Sequence, residues 1–494
     1  MGKGSLVPHP SHPHICSQQR KEDGRLSGLL RIGEELGSGA VRLVTDMADE
    51  AERLLNETTL RVAITGLSRS GKTVFITSLI ANLLAMGRGR QTLPALSALL
   101  DRQGSMLRGV RLEPAGTQAL DWFDAADKIR DLAGARPHWP PRTSDLASAS
   151  LTLEFSRSGP MRLLGSRRVR LDLLDYPGEW LLDLPLLDQD FSQWSAATLA
   201  LLRAEPRAAV AGEFLDFVAA LDPTAPADEA VARRGYRLYL TLLEQARDRF
   251  GLRWLQPGRF LRPGPRGESP MMWFFPLPGD GPAPSGSLRD LLARRFVAYR
   301  DDMRQNFFDP WFARFDRQVV LVDVLGALWA GQGAFEDTRH AVAQIAAAYD
   351  ARSRSRWLGL SSLKRVGFVA SKADHVPAAQ RPALESLFSA MMATPGNDRR
   401  TTTHRAIAAL RCTEDAVHDG LPVVLGVPLG EERRRPFRPG HIPAAPPPAG
   451  DPFWSRPFFE LPALRPPLID PDGRDGLPHL GLDTLLAWLL EDAL

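Results

Sequence analysis

Residues Gly66-Leu67-Ser68-Arg69-Ser70-Gly71-Lys72-Thr73 have the spacing GxxxxGK[ST]. Their types suit one task. Glycines and small residues let a loop turn its backbone N–H groups inward around phosphate oxygens, and Gly71 allows close backbone approach. Lys72 supplies a compact ammonium for the β- and γ-phosphates, and Thr73 offers a hydroxyl to Mg2+. The flanks agree. An apolar strand, Val62 to Thr65, enters the loop, and an apolar helix from Val74 to about Leu84 leaves it. A helix N-terminus there adds partial positive charge. Lysine is otherwise scarce: of 61 Lys+Arg, only Lys3, Lys21, Lys72, Lys128, Lys364 and Lys372 are lysine. A chain so biased towards arginine keeps lysine where a point charge is needed and a planar fork would not fit.

A second constellation ends the apolar run Arg168 to Leu174: Asp175-Tyr-Pro-Gly178-Glu179. A carboxylate at a strand end can hold Mg2+ through water. A glycine three residues on can offer its N–H to a γ-phosphate and sense its loss. DxxG alone is a common pattern; after a phosphate loop, with two strands between, it is specific. In the Ras-like domains that this order of motifs resembles, the loop before those two strands carries a threonine that completes the Mg2+ shell. Thr143 is the candidate, with Ser144 and Thr152 as alternatives.

The third constellation is Ser371-Lys372-Ala373-Asp374, at the end of the strand-like run Arg365 to Ala370. Asp374 can accept from both N1–H and N2–H of guanine, a pair that adenine lacks, and a site built for those donors rejects a base without them. The stem of Lys372 can cover the base, and its head can tie back to the phosphate loop. A sixth strand, Ala406 to Arg411, leads to Cys412 and Thr413, where a last loop would touch the base edge. Asp323-Val-Leu-Gly326 also spells DxxG, but reads more simply as an aspartate closing the buried strand Val319 to Val322.

These residues need a sheet flanked by helices to position them, and the chain can build one. It has 494 residues, 44% hydrophobic and 24% charged, the balance of a globular protein with a sizeable core. A net charge of +3 and the absence of a basic stripe with interleaved aromatics argue against nucleic acid. Two cysteines, Cys16 and Cys412, make no disulfide framework and no zinc spacing. No apolar run is long enough for a transmembrane helix. The expected division is a disordered tail over 1–36, a nucleotide domain over 37–190, a helical insertion over 191–317, the rest of the nucleotide domain over 318–427, and a Pro/Arg-rich arm with a terminal helix over 428–494. Leu93 to Ala133 reads as mainly helical, and an amphipathic helix is expected over 40–56. Helical periodicity recurs over 208–221, 227–250 and 287–307, and its aromatic stripes read as core.

GLSRSGKT at 66–73, WPPRT at 139–143, LDYPGEWLLDLP at 174–185, LVDVL at 321–325, SKADHV at 371–376 and the late PHLGLDTLL together resemble the YcjX-like family of bacterial P-loop proteins. The resemblance covers the chain from about residue 40 onward. It implies an α/β P-loop NTPase with a Ras-like G domain, mostly parallel sheet flanked by helices, carrying an inserted helical subdomain. It implies GTP/GDP and Mg2+ as ligands and a nucleotide-dependent switch associated with cell-envelope stress. The helical insertion would engage a protein effector, a membrane-associated stress protein being one kind. The expected placement is cytoplasmic or peripheral at the inner membrane. Ser371 and Cys412 depart from the usual G-protein residues. Glu179 stands where small G proteins carry a water-orienting glutamine; a carboxylate there repels the γ-phosphate, so turnover should be slow. Arg69 stands where potassium-activated G proteins hold their ion with asparagine; its guanidinium could supply that charge. The rival readings are a P-loop ATPase and a nucleotide-gated scaffold with negligible turnover.

Overall fold

A strand with no polar alternation must be covered on both faces. The run Arg317–Val322 is such a strand, and all six of its residues are buried. It is the sixth strand of a computed structural model that describes residues 57–114, 121–141, 146–157, 166–264, 267–279, 283–355, 363–392, 401–455, 461–469 and 473–494. The expected tail and the helix over 40–56 lie outside these residues, as does Thr143.

In chain order the elements are β1 (Glu57–Gly66), α1 (Lys72–Gly87), α2 (Pro94–Arg102), β2 (Ser105–Leu112), β3 (Asp121–Trp122), α3 (Ala125–Ala133), β4 (Ala147–Arg157) and β5 (Arg167–Asp175). Then come α4 (Phe191–Leu202), α5 (Ala208–Ala219), α6 (Glu229–Phe250) and α7 (Leu288–Met303). The sheet resumes with β6 (Arg317–Val322), α8 (Val324–Trp329), α9 (Gln332–Ser355), β7 (Arg365–Ala370), α10 (Arg381–Met391) and β8 (Thr402–Ala406). Last are β9 (Thr413–His418), β10 (Leu421–Gly426), β11 (Arg435–Phe437) and α11 (Leu482–Leu490).

The main sheet has the order β2-β4-β5-β1-β6-β7-β8, with β3 beside β4. β1, β6, β7 and β8 run parallel. β4 is antiparallel to both β5 and β2. Parallel neighbours require crossovers, and helices supply them. Successive side chains of a strand point to opposite faces. On β6, Val319 and Leu321 join a core with α1, α2 and α11, whereas Val320 and Val322 join a core with α4–α10. The phosphate loop, the end of β5 and the end of β7 therefore emerge at one edge, at the carboxyl ends of the parallel strands, where ligands bind in open α/β sheets.

The segment between β5 and β6 packs an aromatic core. Trp194, Phe274, Phe275 and Phe296 are essentially fully buried, each large apolar side chain contributing roughly 1.5–3 kcal/mol. The same core takes in Trp180, Leu181 and Leu182 from the turn after β5. The helices thus share one interior with the residues that follow the DxxG motif.

Two expectations are corrected. Leu93 to Ala133 is not mainly helical: β2 lies within it, paired with β4. Arg108, Gly109 and Arg111 break the apolar alternation, and the strand is only half buried, which hid it. The last parallel strand is Thr402–Ala406, not Ala406 to Arg411. It is an edge strand of half-buried polar residues, so the apolar run just after it drew the assignment. Residues 413–437 add a three-stranded antiparallel sheet.

Candidate functional site

β1 delivers the chain to Gly66, whose absent side chain is required. A Cβ there would lie 2.1 Å from Ser70 Oγ and 2.8 Å from Leu321 Cβ. Leu67 N donates to Leu321 O at 3.0 Å, fixing the loop to β6. Ser70 N donates to Leu67 O at 3.1 Å. Ser68 is half-buried and Arg69 exposed. Arg69 and Gly71 have φ of 68° and 81°, so their amides turn inward in the manner of an anion-binding nest. Lys72 opens α1 and Thr73 follows on its first turn.

Lys72 Nζ donates to Tyr176 O at 2.6 Å and lies 2.7 Å from Asp175 Oδ1. Asp175 is 1% exposed. Apart from that ion pair, neither of its carboxylate oxygens accepts a hydrogen bond among the described residues. A buried carboxylate so poorly satisfied fits a cation ligand. Gly178 packs on the phosphate loop: a Cβ there would lie 2.1 Å from Gly66 O. Glu179 follows, half-buried, with its own backbone under Gly258, where a Cβ would meet Glu179 O at 1.8 Å.

At the other end, Ser371 N donates to Val322 O at 2.9 Å and its hydroxyl to the same oxygen at 3.2 Å. Serine is long enough for this bond, so the hydroxyl serves the strand junction. Lys372 adopts φ 63° and its Nζ pairs with Asp323. Asp323 also caps α8, accepting from Gly326 N at 2.9 Å. Burial alone would raise its carboxyl pKa, but the Lys372 charge and hydrogen bond, with the Gly326 amide, hold it below the usual carboxylate value. Asp323 therefore positions Lys372, a role the sequence reading did not give it; the Lys372 head meets this carboxylate and not the phosphate loop as expected.

Asp374 is 2% exposed. Its Oδ2 accepts from Cys412 N at 2.8 Å, and its backbone carbonyl accepts from the Thr413 hydroxyl. Burial, with the nearby Asp374 charge, pushes the Cys412 thiol well up, so it stays protonated. One cavity of about 340 Å3 joins Ser70 and Gly71 to Lys372, Asp374 and Cys412. Its remaining wall was missed from sequence. Ile407–Leu410, directly after β8, lines it, with Leu461–Leu464 and Trp139. Trp139 Nε1 donates to Leu464 O at 2.8 Å, tying the two together. Ending β8 at Ala406 would have placed Ile407–Leu410 there; no local signal marks the other two.

A phosphate loop on β1, an acidic β5 end facing its lysine, and a mostly parallel sheet ordered around β1 define an α/β P-loop NTPase. The chain belongs to the YcjX-like family, DUF463, which matches residues 60–494. It is 32% identical over 459 residues to a protein of Escherichia coli named Ras-like GTPase YcjX, covering 88% of this chain and 96% of that one. It is 31% identical over 484 residues to the protein of the same name from Shewanella oneidensis, covering 91% and 98%. Among the described residues no helix is long and apolar enough to cross a membrane.

Proposed function

We propose that this protein binds guanine nucleotide and hydrolyses GTP slowly to GDP and phosphate, acting as a nucleotide-dependent switch. The observation that carries the reading is the single cavity with phosphate-loop residues at one end and Asp374 and Lys372 at the other. The relatives' name, Ras-like GTPase, supports it. In this reading the amides of Arg69, Gly71, Lys72 and Thr73 hold the phosphates with the Lys72 ammonium, those of Leu67 and Ser70 being spent on Leu321 O and Leu67 O. Asp374 accepts from the guanine N–H pair, and Cys412 and Thr413 orient Asp374. Thr73 and Asp175, with Thr143 as a further candidate, would hold Mg2+, which neutralises charge on the phosphates when bound. Lys72 would then exchange its contact with Asp175 for the phosphate oxygens. Gly178 N–H senses the γ-phosphate, and Glu179 orients water against its own repulsion of that group, which keeps turnover slow.

Glu179 also favours the second reading, a nucleotide-gated scaffold with negligible turnover. The helices between β5 and β6 would present the effector surface, as the family resemblance suggests for an envelope-stress partner. Direct competition of GTP against ATP for binding, followed by single-turnover hydrolysis of bound GTP, tests the proposal. Preference for GTP with measurable phosphate release supports it. Preference for ATP overturns the guanine assignment, and tight GTP binding without release leaves the scaffold.

A further inference from the structure

The helical segment sends one loop back towards the phosphate site, and a buried carboxylate holds it there. Asp337 of α9 is 7% exposed. Its Oδ2 accepts from Arg253 N and, at 2.8 Å, from Trp254 N. Its Oδ1 pairs with Arg207, whose guanidinium also donates to Trp254 O at 2.7 Å. Leu252 and Trp254 on either side are buried. One end of this loop abuts the α8–α9 junction, since a Cβ on Gly251 would meet Ala330 Cβ at 3.2 Å. The other end, Gly258, rests on the Glu179 backbone. Of these neighbours, Glu179 directly follows Gly178, and Ala330 ends the helix that leaves β6, the strand to which Leu67 is bonded.

Arg253 lies on the loop between these two contacts. Its guanidinium donates to Leu252 O at 3.3 Å, and among the described residues it makes no ion pair. The charges acting on it, after its own burial, are Asp323, Arg69, Asp337 and Glu179. Three of these lie on the phosphate loop, the β6 end and the DxxG turn. The Asp323, Asp337 and Glu179 carboxylates favour its charge, and the Arg69 guanidinium opposes it.

We infer that Arg253 is a catalytic residue supplied in cis: its guanidinium meets the γ-phosphoryl oxygens during hydrolysis and offsets the charge of Glu179. Asp337 is the positioning residue that holds its backbone. An arginine of this kind stabilises charge that develops only in the transition state, so its removal lowers the rate and spares ground-state binding. This rests on the GTPase reading above and deepens it.

The test is single-turnover GTP hydrolysis by the full chain and by Arg253→Ala and Arg253→Lys, beside GDP affinity with and without aluminium fluoride. The expected result is a rate loss of about 10²–10³-fold for Arg253→Ala and a smaller loss for Arg253→Lys. GDP affinity should change less than about threefold, and the tightening by aluminium fluoride should disappear. Free guanidinium should restore part of the Arg253→Ala rate. An Arg253→Ala rate within about threefold of wild type, with aluminium fluoride still tightening GDP binding, overturns the inference alone. A wild-type chain that binds GTP and never cleaves it overturns the GTPase reading, and this assignment with it. Loss of GDP affinity in both variants would show a structural role and sink the catalytic one.

Discussion

Lys72 Nζ lies 2.7 Å from Asp175 Oδ1, with Asp175 almost wholly buried. Each group answers the other's charge, so removing one partner leaves the other stranded. Lys72→Ala should destabilise nucleotide-stripped protein by about 3–5 kcal/mol. Adding Asp175→Asn should recover most of that loss, while neither variant binds GTP well. Denaturant titration of the two single variants and the double variant measures the coupling. A double variant no more stable than Lys72→Ala would deny that the pair is what holds the two elements together.

Chelation tests the other half of that relationship. Apart from the Lys72 ion pair, the Asp175 oxygens accept no hydrogen bond among the described residues, which suits a metal ligand. Excess EDTA should speed GDP release by at least about tenfold, since a bridging cation is a large local charge. Asp175→Asn should reduce that sensitivity. Equal release rates with and without EDTA in the wild type would remove Mg2+ from the site.

Gly178 cannot carry a side chain where it sits, because Gly66 O would be 2.1 Å from its Cβ. Backbone on both sides leaves nothing flexible to yield. Gly178→Ala should cost about 1–3 kcal/mol of stability. It should also displace one N–H donor from the γ-phosphate, lowering single-turnover hydrolysis about 10²-fold. Stopped-flow GTP binding should show near-normal association. Unchanged hydrolysis would mean that this glycine only packs.

The legible parts of the site are the ones whose chemistry is local. Gly66 to Thr73, Asp175 with Gly178, and Lys372 with Asp374 each sit within a few residues of a strand end, so spacing reports geometry directly. The buried run Val319 to Val322 was legible for a similar reason: both faces of β6 are covered, so no alternation is possible. Arg253 and Asp337 are 84 residues apart, and only the packing of α9 against the insertion unites them. Trp139 and Leu464 are 325 apart, and nothing in either segment announces the other. Asp323 and Lys372 were each visible in a motif, but their pairing was not. Two polar residues at adjacent strand ends meet only once the register of β6 and β7 is known.

Asp374 offers its carboxylate to Cys412 N through Oδ2, which leaves Oδ1 for the base. Asn at 374 can keep its carbonyl oxygen on the Cys412 amide and turn its NH2 outward. That donor repels guanine N2–H and suits the 2-oxo group of xanthine. Asp374→Asn should weaken GTP binding by about 10–100-fold, the worth of a charge-assisted hydrogen bond, and raise affinity for XTP. Competition between the two nucleotides reads this directly. Retained GTP preference would place the base elsewhere.

Asp183 anchors the turn after the DxxG motif to the helical segment. It accepts from Gly258 N at 2.7 Å, Arg259 N at 3.2 Å and the Tyr299 hydroxyl. Burial raises its carboxyl to about 6, although those hydrogen bonds and the Arg259 charge pull it down. An unfolded aspartate titrates near 3.9. Between these values the folded chain holds the proton more tightly than the unfolded chain does. The group's contribution is thus fully present below about pH 4 and is lost as pH rises through about 6, a change of about 3 kcal/mol. Asn at 183 has nothing to titrate. The stability of Asp183→Asn relative to wild type should therefore improve by about that amount from pH 4 to pH 7, by denaturant titration. A difference that stays flat across the window would show that this carboxyl does not carry the proton. Above pH 6 the charged carboxylate also loosens the link between the turn and the insertion, so proteolysis near Gly258 should quicken in wild type and not in Asp183→Asn.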